Sequence, residues 1–215
     1  MTNHDDAYEA IAKKTGFEIP ALYRKMVADG VTEYGADRGE WHVNPPALGI
    51  ASAQVEWYAP TAIADYEPAE YWDRSLTLVP FAQNGGGDLW CFHPAAAEND
   101  LIPVALCPHD EMSAEIFAPD LGGFWFRQLL NAFAEMDVAH TRFDEATQQQ
   151  QARAEIRTIA RYVRPEWVAI LEEVASRPMK RKGDILSFLS RSEAGALATA
   201  TLAYARLGET FMHAP

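Results

Sequence analysis

The chain has 215 residues, 48% of them hydrophobic and six of them tryptophan, so it can bury a full core and is not a disordered polymer. No apolar run is long enough to span a bilayer, and the opening MTNHDDAYEAIAKK has neither the basic start nor the apolar core of a signal peptide. A cytoplasmic protein is expected, and the net charge of −13 argues against nucleic acid and anionic membranes as partners.

In chain order, residues 4–15 predict a short amphipathic helix with Asp5 and Asp6 in its first turn, where carboxylates favour the positive end of the helix dipole. A second helix is expected to start at Pro20 and stop at Gly30, residues suited to those two ends. Residues 31–49 are rich in glycine and proline, with a short strand expected near Trp41 to Val43, and Ser52 is expected to cap a helix to about Ile63. Strands are expected at 76–83, 89–93, 104–107 and 115–117. Loops this short cannot make parallel crossovers, so the strands form an antiparallel meander.

Between the first two of those strands lie Gly85, Gly86 and Gly87, expected to supply positive φ in a hairpin turn. Strand formers follow Gly87, and Pro94 comes soon after, so this glycine run does not open a phosphate-binding helix. Asp120 is expected to cap a helix to about Met136, with Leu121, Phe124, Trp125, Leu129 and Phe133 near one face, packed across the sheet. Composition then shifts towards alanine, arginine and glutamine. Helices are expected around Ile156 to Val163, from Pro165 through Val174, at Ile185 to Leu189, and from Ser192 to Leu207.

Charge is divided unevenly along this layout. Residues 1–144 carry 8 basic and 23 acidic side chains, and residues 145–215 carry 10 basic and 8 acidic, so −15 stands against +2. An acidic body speeds encounter with basic proteins.

The run GGGD after a strand reading LVPFA, the later PVALCPHDEM and GGFWFRQLLNAF, and the proline-started EIPALYRKMVADG together resemble the SUKH superfamily, which includes bacterial immunity proteins and fungal cell-wall synthesis regulators. The resemblance begins at Glu18, ends near Phe133, and covers a little over half the chain. It departs from the family pattern across residues 31–75 and at Cys91 and His93. It implies an α+β fold, an antiparallel sheet with helices packed on one side, assigned here to residues 1–140, with residues 141–215 as an all-helical appendage that could serve homodimerisation.

Two constellations stand out as sites. In EWYAPTAIADYEPAEYWD, the aromatic residues Trp57, Tyr58, Tyr66, Tyr71 and Trp72 alternate with Glu56, Asp65, Glu67, Glu70 and Asp73. Such residues anchor interfaces and pair with arginine and lysine of a partner, and the same pattern arises where the tryptophans are core and the carboxylates their solvated side. Cys91 with His93 and Cys107 with His109 repeat a Cys-x-His spacing, which on neighbouring strands would aim four zinc-type donors one way. Buried thiols and hydrogen-bonded histidines explain the same letters. In a chain without an export signal, the two cysteines read as thiols.

Asp88, after the glycines, resembles the aspartate of the family's Gly-Asp turn and is expected to hold that turn through backbone amides. No nucleophile elbow, His-Glu-x-x-His helix or Ser-His-Asp context is present. The resemblance implies a binding protein without turnover or cofactor, one that neutralises a basic toxin domain by covering its active site. Two alternatives stay open: a regulatory scaffold for an endogenous protein, and a zinc enzyme built on Cys91, His93, Cys107 and His109.

Overall fold

The computed structural model describes residues 4–32, 55–137 and 145–214. These form two compact units that do not follow a single cut at residue 140. The first comprises described residues up to 32, 55–121 and 204–214, and the second the described residues from 122 to 203.

The first unit is α+β, with an antiparallel sheet as expected, here of six strands. Its strands are β1 (Glu56–Trp57), β2 (Val79–Gln83), β3 (Leu89–Phe92), β4 (Val104–Cys107), β5 (Ser113–Ala118) and β9 (Thr210–Met212), adjacent in that order. Helices α1 (Asp5–Thr15), α2 (Ala21–Ala28) and α3 (Pro60–Asp65) accompany it. Helix α1 ends on Gly16 at φ +68 and α2 is followed by Gly30 at φ +76, left-handed positions that glycine takes without steric cost.

Period-two alternation gives this sheet two apolar faces. On one face Phe92 packs 4.5 Å from Phe81, Phe81 stacks 5.6 Å from Trp57, and the fully buried Tyr23 of α2 touches all three rings at 6.0 to 6.1 Å. The Tyr23 hydroxyl donates to the Tyr58 carbonyl at 2.7 Å, so its one polar atom is satisfied inside the core. On the opposite face Cys91, Ala105, Cys107 and Ala114 form a smaller core with Trp72 and Leu78, and Phe211 of β9 packs against it.

The expected meander is present, with three local corrections. Of the glycines at 85–87 only Gly87 has positive φ, at +92, because Asn84 shapes the turn instead. Residues 56–57 are strand and the helix there spans Pro60–Asp65, not a helix capped at Ser52; both Ser52 and the strand expected near Trp41 lie outside the described residues. The third difference is β9, which no sequence pattern announced.

The second unit is built on α4 (Leu121–Ala134), α5 (Glu145–Ile159), α6 (Pro165–Ala175) and α7 (Arg191–Leu202). Phe124, Trp125, Phe126, Leu129, Leu130 and Phe133 of α4 have no exposed surface; Phe126 lies 5.5 Å from Trp167 and Phe133 5.5 Å from Phe188. Helices dominate this C-terminal region, as expected, but it also holds a three-stranded sheet of β6 (Met136–Asp137), β8 (Ile185–Ser187) and β7 (Lys180–Lys182), where helices alone were expected. Gly183 at φ +62 turns β7 into β8, and Leu186 alone of the three β8 residues is buried, the alternation of a strand and not the spacing of a helix.

Candidate protein-binding face

The β2–β3 turn is locked by side chains. The Asn84 Oδ1 accepts from the amides of Gly86 and Asp88 at 2.9 and 3.0 Å, and Asn84 Nδ2 donates to Asp88 Oδ2 at 2.9 Å. The carboxylate of Asp88 was expected to hold the turn through backbone amides; instead it takes the Asn84 side-chain amide within the turn and reaches 21 positions along the chain. Its Oδ1 accepts from the His109 amide at 3.2 Å and meets the His109 Nδ1 at 2.9 Å.

Burial works to raise the Asp88 pKa, but hydrogen bonds from Asn84 and His109 outweigh it and hold the carboxyl below its usual value. His109 is raised in return, chiefly by its bond to Asp88. This pair fixes the β4–β5 connection, which carries the exposed Asp110, Glu111 and Met112, against the hairpin.

The aromatic and acidic segment divides between core and surface. Trp57 and Trp72 are buried, each 7% exposed, Trp72 lying edge-on to His213 at 5.2 Å. Glu56, Tyr58 and Gln83 form a relay in which Tyr58 donates to Gln83 Oε1 and Gln83 Nε2 donates to Glu56 Oε2, both at 2.7 Å. Tyr66 is half-buried near Trp72, and burial, with Cys91 next in weight, pushes its phenol far up, so it stays neutral. Trp57 and Trp72 thus serve the core, whereas Glu56, Tyr58 and Tyr66 keep part of their surface exposed.

Asp65, Glu67, Glu70, Tyr71 and Asp73 remain exposed. Lys14 gathers the Ala64 and Tyr66 carbonyls and the Glu67 carboxylate at 3.2, 2.6 and 2.8 Å, pinning the segment to α1. Asp73 accepts from the Ser75 amide at 2.8 Å, and its own amide donates to the His213 carbonyl at 2.9 Å. The Tyr71 hydroxyl points at the His109 carbonyl, 3.5 Å away.

These links converge with β9. His213 donates its amide to the Met112 carbonyl at 2.9 Å, and Met212 pairs with Ser113. Tyr71, Met112 and Met212 are the large hydrophobic side chains left exposed among the described residues, at 51%, 57% and 56%. Hydrogen bonds thus join the three segments that carry them, 70–73, 109–112 and 212–213, into one rim of the sheet, with Glu70, Asp73, Asp110 and Glu111 on the same segments and Arg74 the nearby cation. Sequence reasoning found Glu70, Tyr71 and Asp73 of this set and missed Asp110, Glu111, Met112 and Met212. An exposed methionine is spelled like a core one, and only the pairing of β5 with β9 brings the segments of the two methionines side by side.

The two Cys-x-His pairs do not meet. Cys91 and Cys107 are free, fully buried thiols on one face of the sheet, offset by two residues because Cys91 pairs with Ala105 and Cys107 with Leu89. Burial, then contact with Cys107, pushes the Cys91 thiol well above its usual value. His93 is buried against Phe211 at 4.7 Å, whereas His109 is exposed and bound to Asp88. The group of three metal-type donors lying within 4.8 Å of one another among the described residues is Asp88, His109 and Asp110, and it includes neither cysteine.

No helix among the described residues is long and apolar enough to cross a membrane. No curated protein and no solved structure matches the chain. A model of the SMI1/KNR4 family (SUKH-1) matches residues 3–127, more than half of the chain and nearly all of the first unit's helices and strands except β9. Strands β1 to β5, the Asp88 turn and the rim apart from Met212 thus lie on the matched part, and the chain belongs to the SMI1/KNR4 family (SUKH-1).

Proposed function

We propose that the protein is an immunity protein that binds a cognate toxin and blocks it by occlusion, with the rim around Tyr71, Met112 and Met212 as the contact surface. Family membership supports a protein-binding role of immunity or regulatory type. The observation that carries the choice of surface is that the large exposed hydrophobic side chains of the described residues, Tyr71, Met112 and Met212, stand on segments tied to one another by hydrogen bonds, which also carry the exposed Glu70, Asp73, Asp110 and Glu111. Apolar anchors inside a charged rim make an interface, and carboxylates on that rim select a basic partner such as the active site of a nuclease. The pinned backbone around the rim keeps ordering costs on binding low.

Co-expression of the chain with the product of each neighbouring gene tests the reading. Rescue of growth from a toxic product, with co-purification of the two chains, is the expected result. A stable complex with a harmless cellular protein would instead establish the regulatory scaffold. In the complex, replacing Tyr71, Met112 and Met212 together by serine should weaken binding by about a hundredfold or more, as loss of interface anchors does. Unchanged affinity in the triple variant would remove the rim from the interface.

A further inference from the structure

The second unit holds a cavity of about 280 Å³ between α5 and α6, lined by Arg153, Ile156, Arg157, Glu172 and Ser176. Arg153 and Arg157 stand four positions apart on α5, one turn above the other, where like charges repel. Neither guanidinium forms an ion pair or hydrogen bond with a described residue, and the Glu172 carboxylate across the cavity is also unpaired among them. Its neighbour Glu173, in contrast, is engaged by Arg177 through two bonds of 3.1 Å. Two cations and one anion thus line one small cavity without neutralising each other.

The two walls are chemically distinct. On the α5 side the guanidinium groups offer only donors. On the α6 side Glu172 accepts, and the Ser176 hydroxyl donates its proton to the Glu173 carbonyl at 2.7 Å, which leaves its oxygen lone pairs as acceptors. Ser176 also caps the C-terminal end of α6, where the helix dipole favours a cation. Ile156, 1% exposed, supplies an apolar floor.

We infer that this cavity binds a small zwitterion of the free amino-acid class, its carboxylate on Arg153 and Arg157, its ammonium facing Glu172 and Ser176, and an aliphatic side chain over Ile156. A purely anionic ligand would meet Glu172 unpaired, and a purely cationic one would meet two guanidinium groups. Only a ligand bearing both charges satisfies both walls. The volume suits a molecule of that size, held in an open groove whose charged residues are exposed. This site is independent of the rim on the first unit and stands whether or not a toxin is bound there.

The test is calorimetric titration of the full chain with L-leucine, with isovalerate as the carboxylate-only probe and isopentylamine as the amine-only probe. L-Leucine should bind at least about tenfold more tightly than either, the equivalent of one charge-assisted bond. Arg157→Gln should weaken L-leucine by a similar factor, and Glu172→Gln should erase the preference for L-leucine over isovalerate. Thermal unfolding of both variants checks that they remain folded, and because all these polar groups are on the surface they should. No heat with L-leucine at ten-millimolar-order concentration, equal binding of isovalerate, or full affinity in folded Arg157→Gln would each overturn the assignment.

Discussion

Asp88 sits inside a hairpin turn, yet two of its bonds leave the hairpin for His109. A carboxylate in such a position ties two loops together, and its effect on stability depends on pH in a way that can be worked out. The Asp88 pKa is lowered in the fold, so its contribution is present above the ordinary value of 3.8 and is lost as pH falls through the folded value. The His109 pKa is raised, so its contribution is present below the ordinary 6.5 and is lost as pH rises through the folded value. Asp88→Asn should therefore cost most between about pH 4 and about pH 6.5, roughly 1 kcal/mol from the bonds to Asn84 and the His109 amide. The difference should shrink on both sides, partly at high pH and further at low pH. Unfolding of the two proteins in urea at about pH 3, 5.5 and 9, below, within and above that window, checks it; a difference that grows towards pH 9 would contradict the assignment.

Among the elements, α7 shows how a short sequence signal can set a boundary. Ser190 accepts from the Glu193 amide at 3.2 Å while the Glu193 carboxylate accepts from the Ser190 amide at 2.7 Å, a reciprocal capping box. Ser190→Ala should destabilise the chain by about 1 kcal/mol, measured by urea unfolding, with Ser190→Gly costing only a few tenths. The far end of the same helix closes on Ala203 at φ +46, an uncommon conformation for alanine, so Ala203→Gly should raise stability by several tenths of a kcal/mol at about 25 °C. The serine-to-glutamate spacing is legible in the sequence, and it places the start of α7 before Ser192. The hairpin β7–β8 is not legible in the same way: Ile185, Leu186, Phe188 and Leu189 also suit a helix, and pairing of β8 with both β6 and β7 decides for strand.

Across the molecule, charge follows the division of the chain more than the division of secondary structure. Residues 1–144 hold 23 of the 31 acidic side chains, against 8 of the 18 basic ones. A field of that sign steers basic proteins over a Debye length, about 10 Å at 0.1 M salt. Association with a basic partner should accordingly slow by about tenfold or more between 0.05 and 0.5 M salt, while dissociation changes little. Stopped-flow or surface-resonance rates separate the two, and a salt effect confined to dissociation would show that the acidic body does not steer encounter.

Strand periodicity, the glycine turn and the proline and glycine ends of α2 are local properties of neighbouring residues, so the sheet from β2 to β5 and the first two helices could be read from the letters alone. The acidic balance was equally open, since charge adds without reference to geometry. Which aromatic residues serve the core, and which face solvent, depended on the fold: Trp57 and Trp72 are buried by partners far along the chain, while Tyr71 is not. The same holds for β9, whose three residues carry no distinctive pattern and become a strand only by bonding to β5 from about a hundred positions away. The rim exists because that long-range pairing sets Met212 opposite Ser113 and His213 against Met112, a juxtaposition that only backbone hydrogen bonding in three dimensions could create.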